Sequence, residues 1–282
     1  MTPHLTVGIT LIVIGAGGLH AAWNAITKHL DDRLMAFALI GVATAVGGGL
    51  VLALAGLPAR AAVPFVIASA AIHIGYNLAL MNSYRIGAFN QVYPIARGTS
   101  PLVVAAGAYL LAHEHLGALP LAGVAILAAG LMSLALSSGR LTRSDLPAVA
   151  AAVATGLTIA AYTIVDGLGV RQAHNPYAYA GLLFLLQAPV FPLVAAFRRP
   201  ASRWREVPVA WRGLLAGMLS LAAYGTVLWA QSRAPLAEVA AIRETSVIFA
   251  ALIGMLFLRE RFGARRVAAA AVIAAGIVLI SA

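Results

Sequence analysis

The chain has no cysteine, and only 10% of its 282 residues are charged. Without thiols there are no disulfides, thiolate metal sites or cysteine nucleophiles, and cysteine usage says nothing of the redox compartment. Charge at well under the roughly 25% usual for soluble domains excludes a water-soluble globular fold. Acids are scarcest, with nine Asp and Glu against nineteen Lys and Arg. Such a basic excess would suggest nucleic acid in a soluble protein. Aromatic-basic clusters are lacking, however, so no nucleic-acid partner is expected. Met1-Thr2-Pro3-His4 carries no basic n-region, so the first apolar stretch is expected to remain as a helix rather than be cleaved as a signal.

What is abundant is apolar, 62% of the chain. A run of about 20 apolar residues crosses a bilayer. Runs of that size cover 5–28, 34–56, 61–85, 88–111, 117–137, 146–170, 176–197, 209–232, 236–258 and 263–281. The expected fold is therefore all-α and integral to the membrane, with ten transmembrane helices and the lipid bilayer as solvent. No room is left for a soluble domain. Gly47-Gly48-Gly49 and the pair Gly213 and Gly217 are read as close helix-packing sites.

With ten spans, the odd-numbered connections share one side of the membrane. They hold Lys28, Arg33, Arg85, Arg140, Arg143, Arg198, Arg199, Arg203, Arg205, Arg212, Arg259, Arg261, Arg265 and Arg266, against Arg60, Arg171 and Arg233 opposite. The positive-inside rule then puts the odd connections in the cytoplasm and both termini outside it. Two arginines remain within spans, Arg97 and Arg243.

These two are linked by an internal repeat. An offset of 146 lays Glu114 on Glu260, Arg97 on Arg243, Thr99 on Thr245, Ser100 on Ser246, Gly117 on Gly263 and Gly130 on Gly276. The halves, 1–140 and 141–282, hold five spans each, an odd number, so they run in opposite directions through the membrane. That is the inverted-repeat plan of secondary transporters.

The residues that carry this pattern resemble the EamA-type transporters of the drug/metabolite transporter superfamily. They are Leu19-His20-Ala21-Ala22-Trp23-Asn24, Val92-Tyr93-Pro94-Ile95-Ala96-Arg97-Gly98-Thr99, Tyr162-Thr163-Ile164-Val165-Asp166-Gly167, Ile242-Arg243-Glu244-Thr245-Ser246 and Leu258-Arg259-Glu260-Arg261-Phe262-Gly263. The resemblance spans essentially the whole chain. It implies two inverted five-helix halves around a cavity lined by spans 1, 3, 4, 6, 8 and 9. It also implies transport of amino acids, other metabolites or drugs, and a bacterial inner membrane. One departure is His113-Glu114-His115, where the family more often has Gly before the Glu.

An arginine at the bilayer centre costs about 2.5–3.5 kcal/mol on the insertion scale, so Arg97 and Arg243 should face a wet cavity or a partner. The alternative reading pairs each with an internal acid, Glu244 or Asp166, as a structural tie. Pro94 and Pro101 are expected to bend or break the fourth span around Arg97. His20, Trp23 and Asn24 in span 1, and His73, Tyr76 and Asn77 in span 3, each share a helix face. With Tyr93, Tyr162 and Tyr224 they form the expected walls of a substrate site. Thr155 and Thr158 add helical spacing to span 6. Glu244 is read as the sole acid deep in a span. Together with His20, His73 and Asp166 it could take up a coupled proton.

No cofactor is expected. The spacing of His113-Glu114-His115 is not that of a helical zinc motif, and Glu114 is read as a helix cap or loop brace. The glycine-rich stretches lack the Lys and Ser/Thr of a phosphate loop. A membrane-embedded lipid-modifying enzyme would need an acid-base pair or metal box that is not visible, so the chain is read as no enzyme. The expectation is a secondary transporter of a small metabolite, an amino acid or another carboxylate- or phosphonate-bearing compound, working by alternating access. An exporter of cationic or neutral drugs is the alternative.

Overall fold

The computed structural model describes residues 5–28, 30, 32–86, 89–137, 142–204, 207–257 and 263–281. The segment 258–262, with its Arg259-Glu260-Arg261 motif, lies outside them. Every regular element among the described residues is helical. In order these are α1 (Val7–Lys28), α2 (Arg33–Ala55), α3 (Val63–Ile86), α4 (Phe89–Leu111), α5 (Ala118–Ser137), α6 (Leu146–Gln172), α7 (Pro176–Gln187), α8 (Val190–Arg198), α9 (Ala201–Trp204), α10 (Val207–Gln231), α11 (Leu236–Ile242), α12 (Thr245–Phe257) and α13 (Ala264–Ser281). Among the described residues, eight spans are long and apolar enough to cross a membrane, with α7–α8 and α11–α12 each counting as one. Side chains such as Leu54, Leu57 and Phe197 stay exposed on the bundle surface, as lipid permits.

Helix pairing follows a pattern. Under the offset of 146, α1 corresponds to α6, α2 to α7–α8, α3 to α10, α4 to α11–α12 and α5 to α13. The contacts come in exchanged pairs: α3 packs on α6 and α10 on α1, α4 on α6 and α12 on α1, α2 on α10 and α7 on α3. The contacts α2 on α7 and α5 on α13 map onto themselves.

Small residues set these crossings. A Cβ on Gly123 would lie 2.7 Å from the Gly276 carbonyl oxygen, and one on Gly276 would lie 2.8 Å from that of Gly123. Gly48 and Gly181 approach in the same way at the α2–α7 crossing, and a Cβ on Gly217 would lie 2.6 Å from Ala43 Cβ. Backbone meets backbone here, where lipid offers no hydrophobic drive for association and close contact supplies the energy. Gly123→Leu should therefore destabilise the protein by about 1–3 kcal/mol through overpacking, read as a lower unfolding temperature in detergent.

Caps tie the halves at both ends. Asp32 accepts from the Leu34 and Met35 amides at the start of α2, and receives Arg199 from the end of α8 at 2.5 and 3.1 Å. Asn175 accepts from the Tyr177 amide at the start of α7 and donates to the Ala55 carbonyl at the end of α2 at 3.2 Å. Hydrogen bonding from Arg199 holds the Asp32 carboxyl below the usual range. A carboxylate lowered in this way contributes stability above its ordinary value, about 4, and loses it as pH falls further. The Asp32→Asn variant should therefore lose part of the acid-side decline in unfolding temperature. The effect should be small, because the pair is partly exposed.

Candidate functional site

Of the bend or break expected in the fourth span, the break does not occur. Helix α4 runs unbroken from Phe89 to Leu111 with Pro94 and Pro101 inside it. Each proline removes one donor, and a membrane helix tolerates that where neighbours re-satisfy the backbone. The interruption falls instead in the corresponding helix of the second half, between α11 and α12 at Arg243 and Glu244. There the backbone tightens to i→i−3 bonds: the Glu244 amide donates to Ala241 O at 3.0 Å, Ser246 to Arg243 O at 3.1 Å and Val247 to Glu244 O at 2.9 Å. Gly17 of α1 presses on this turn, and a Cβ there would overlap the Thr245 hydroxyl.

At the break the two repeat-related arginines part company. Arg97 Nε lies 2.8 Å from Glu244 Oε2, its Nη2 donates to Ser246 Oγ at 2.5 Å, and its guanidinium lies 5.7 Å from the Tyr93 ring centre. Arg243 Nε is 4.0 Å from Glu244 Oε1, and its Nε and Nη2 have no hydrogen-bond partner among the described residues. Arg97, Arg243 and Glu244 are all buried. Arg97 thus ties α4 to the break through Ser246 and the closer ion pair with Glu244, while Arg243 stands farther from that acid; Arg97 Nε and both Glu244 oxygens likewise lack a hydrogen-bond partner among the described residues.

Around Arg243 lies an aromatic cluster. His73 stacks on Tyr162 at 4.0 Å, and Tyr224 meets His73 at 5.4 Å and Tyr162 at 5.9 Å. Tyr76 meets Tyr162 edge-on at 5.5 Å. Tyr162 and Tyr224 are within electrostatic reach of Arg243. The structure thus brings Arg97, Arg243, Glu244, His73, Tyr76, Tyr93, Tyr162 and Tyr224 together.

The span 1 trio is more self-contained. Trp23 Nε1 donates to His20 Nδ1 at 3.3 Å and the Asn24 amide to His20 O at 2.8 Å, with His20 in reach of both arginines. Asn77 likewise donates to His73 O at 2.9 Å. Thr155 and Thr158 spend their hydroxyls on helix carbonyls, and Thr155 also meets Ser83 at 2.9 Å.

Two features give partners to acids that the sequence already singles out. Asp166 is buried as completely as Glu244, accepting from Tyr179 at 2.9 Å and from Tyr224, with the Ser69 hydroxyl also on it. An aspartate inside an apolar run was the available signal for Asp166. Tyr179 gave none, since an aromatic in an apolar span reads as packing.

The second feature is at the other end of α11. Glu114 accepts from the Leu236 amide at 2.8 Å, which caps α11, and from Arg171 at 2.5 Å. Arg171 also donates to Gln231 O at 3.0 Å and Ala234 O at 2.9 Å. His113 adopts a left-handed backbone, φ 54°, and the Glu114 amide reaches back to Ala108 O at 3.0 Å. That is the turn a glycine ordinarily fills after a helix, so His113 stands at a position suited to the family's Gly. His113→Gly should leave the site intact and raise stability by up to about 1 kcal/mol, measurable as a higher unfolding temperature.

A cavity of about 510 Å3 lies elsewhere, between α1, α2, α7 and α10, lined by apolar residues such as Val51, Phe184 and Trp229. Arg97, Arg243, Glu244 and Tyr162 of the arginine site are all buried. Within it, α11 is buried at every residue.

A helical membrane protein with buried charges at a broken helix is the class these features define. Residues 146–282, the second half of the chain, match the EamA-like transporter family. A crystal structure of a protein 18% identical superimposes with a TM-score of 0.76, covering 97% of this chain and 98% of that one, a likeness of fold. No curated protein sequence matches the chain. The family match over residues 146–282 supports a membrane transporter of the drug/metabolite superfamily, and the structural likeness shows the fold alone.

Proposed function

We propose that the chain is a secondary carrier of a small anionic or zwitterionic metabolite, an amino acid or another carboxylate- or phosphonate-bearing compound, moved by alternating access. The observation that carries this reading is Arg243, a buried guanidinium at a helix break whose Nε and Nη2 have no hydrogen-bond partner among the described residues and which stands 4.0 Å from Glu244, against 2.8 Å for Arg97. Free donors in a low-dielectric interior favour an anionic group on the ligand. The stacked His73, Tyr162 and Tyr224 offer an apolar and aromatic wall for its remainder. A cationic drug would meet two buried arginines at this site, a repulsion that an anion does not face.

The membrane arrangement in this proposal has ten spans, adding α4 and α13 to the eight apolar ones, in inverted halves at 1–140 and 141–282. The exchanged helix contacts support the repeat, because a pseudo-two-fold axis would produce such pairs. The Lys and Arg bias supports cytoplasmic odd connections and both termini outside, in a bacterial inner membrane.

The test is a ligand-stabilisation screen of purified protein against amino acids, carboxylates, phosphonates, sugars and cationic drugs. A carboxylate- or phosphonate-bearing compound should raise the unfolding temperature of the parent but not of Arg243→Gln. Stabilisation by cations or neutral compounds alone, or an unchanged response in the variant, would overturn the reading.

A further inference from the structure

We infer that Asp166 is the proton-binding site of the carrier, taking up one proton for each negative charge that binds at Arg243. The inference rests on the anion reading above and adds the coupling ion, its residue and its stoichiometry.

The argument starts from charge. Four charged side chains are buried at the centre, Arg97, Arg243, Glu244 and Asp166, and with both acids ionised their formal charges cancel. Glu238, the other buried acid among the described residues, sits near the far end of α11, within electrostatic reach of Glu114. An anion bound at Arg243 leaves the centre with one excess negative charge. Uncompensated charge in a low-dielectric interior is costly, and a proton on a central acid removes it.

Geometry chooses which acid. Glu244 has a guanidinium 2.8 Å away, so its ionised form is held by Arg97. Asp166 has no Lys or Arg within ion-pair distance among the described residues. Its oxygens meet only hydroxyls, from Tyr179 on α7, Tyr224 on α10 and Ser69 on α3. The other titratable or charged groups on the elements packed around it are His73 and Tyr76 on α3, Tyr162 on its own helix, Tyr93 and Arg97 on α4, and Arg243 and Glu244 at the break.

The same contacts connect the two events. Tyr224 donates to Asp166 and lies within electrostatic reach of Arg243. His73 bonds Ser69 at 3.1 Å and stacks on Tyr162. When a proton from solvent adds to the Asp166 carboxylate, that oxygen becomes a donor and no longer needs both tyrosine hydroxyls. Tyr224 is then free to turn its O–H toward the anion on Arg243.

Two measurements test this, one without ligand. Infrared titration of the purified protein from alkaline to acid pH should show a protonated-carboxyl band that Asp166→Asn lacks. Identical titrations of parent and variant would overturn the inference whatever the substrate is. In the second, benzoate serves as a minimal carboxylate with an apolar ring. Parent protein in weakly buffered detergent should take up one proton per benzoate bound, and Asp166→Asn should bind benzoate with no uptake. Benzoate bound by the parent without proton uptake overturns the coupling and leaves the anion site standing. Absence of benzoate binding counts against the anion site itself, and the stoichiometry falls with it.

Discussion

Arg243→Gln should give a protein at least as stable as the parent that no longer responds to any anionic compound. The guanidinium is buried with two donors unpartnered, and an unsatisfied buried polar group costs about 1–3 kcal/mol, more when charged. Removing it leaves the centre with one negative charge in excess, so the ligand-free variant should match or exceed the parent's unfolding temperature at a pH low enough for a proton on Asp166 to cancel that charge. The same change deletes the central cation that this reading gives to the anion, so affinity should fall by about 2–5 kcal/mol, as when one partner of a buried charged contact is truncated. Greater stability with lost binding is the signature of a site kept for function at the expense of the fold. A structural tie would show the reverse. The check is calorimetric unfolding with and without the best compound from the screen.

The matched change at the repeat-related position should have the opposite sign. In Arg97→Gln, Glu244 keeps its burial and loses the cation at 2.8 Å, and Ser246 loses its donor. Breaking one side of a buried pair destabilises by about 3–5 kcal/mol. Arg97→Gln should therefore express poorly and unfold early. Adding Glu244→Gln removes the stranded charge and should recover most of the loss, a non-additivity that a double-mutant cycle reads directly. If Arg97→Gln and Arg243→Gln were equally stable, the division of labour between the two arginines would be wrong.

Removing the brace at the other end of α11 should be milder. Glu114→Ala uncaps the helix at Leu236 and releases Arg171, for a loss of about 1–2 kcal/mol. Equilibrium unfolding of the variant beside the parent checks it.

Much of this site could be read in one dimension because charge is so rare in the chain. Arg97, Arg243 and Glu244 stand out against apolar spans, and the offset between the halves already relates the two arginines. Glu114 could be read as a cap because its repeat mate is flanked by arginines and no metal reading survives that comparison. The asymmetry between the arginines could not be read, since identical residues in matched positions differ only in which carboxylate reaches them across the bundle. The break was misplaced for a related reason. Proline is a local signal, whereas the turn at Arg243 and Glu244 is accompanied by tertiary contacts from Gly17 and from Arg97 through Ser246. Asp166 was underweighted beside Glu244 because its hydroxyl partners lie on α3, α7 and α10, a convergence that spacing along one helix does not reveal.

The most direct test of the account is counterflow in proteoliposomes. Vesicles loaded with a high concentration of the unlabelled compound selected by the screen are diluted into a trace of the same compound carrying a radiolabel. A carrier with an alternating anion site should accumulate label transiently and saturably, and Arg243→Gln vesicles should accumulate none. Label entering no faster than in protein-free vesicles, or equally well with Arg243→Gln, would contradict the claim that this arginine anchors the transported anion.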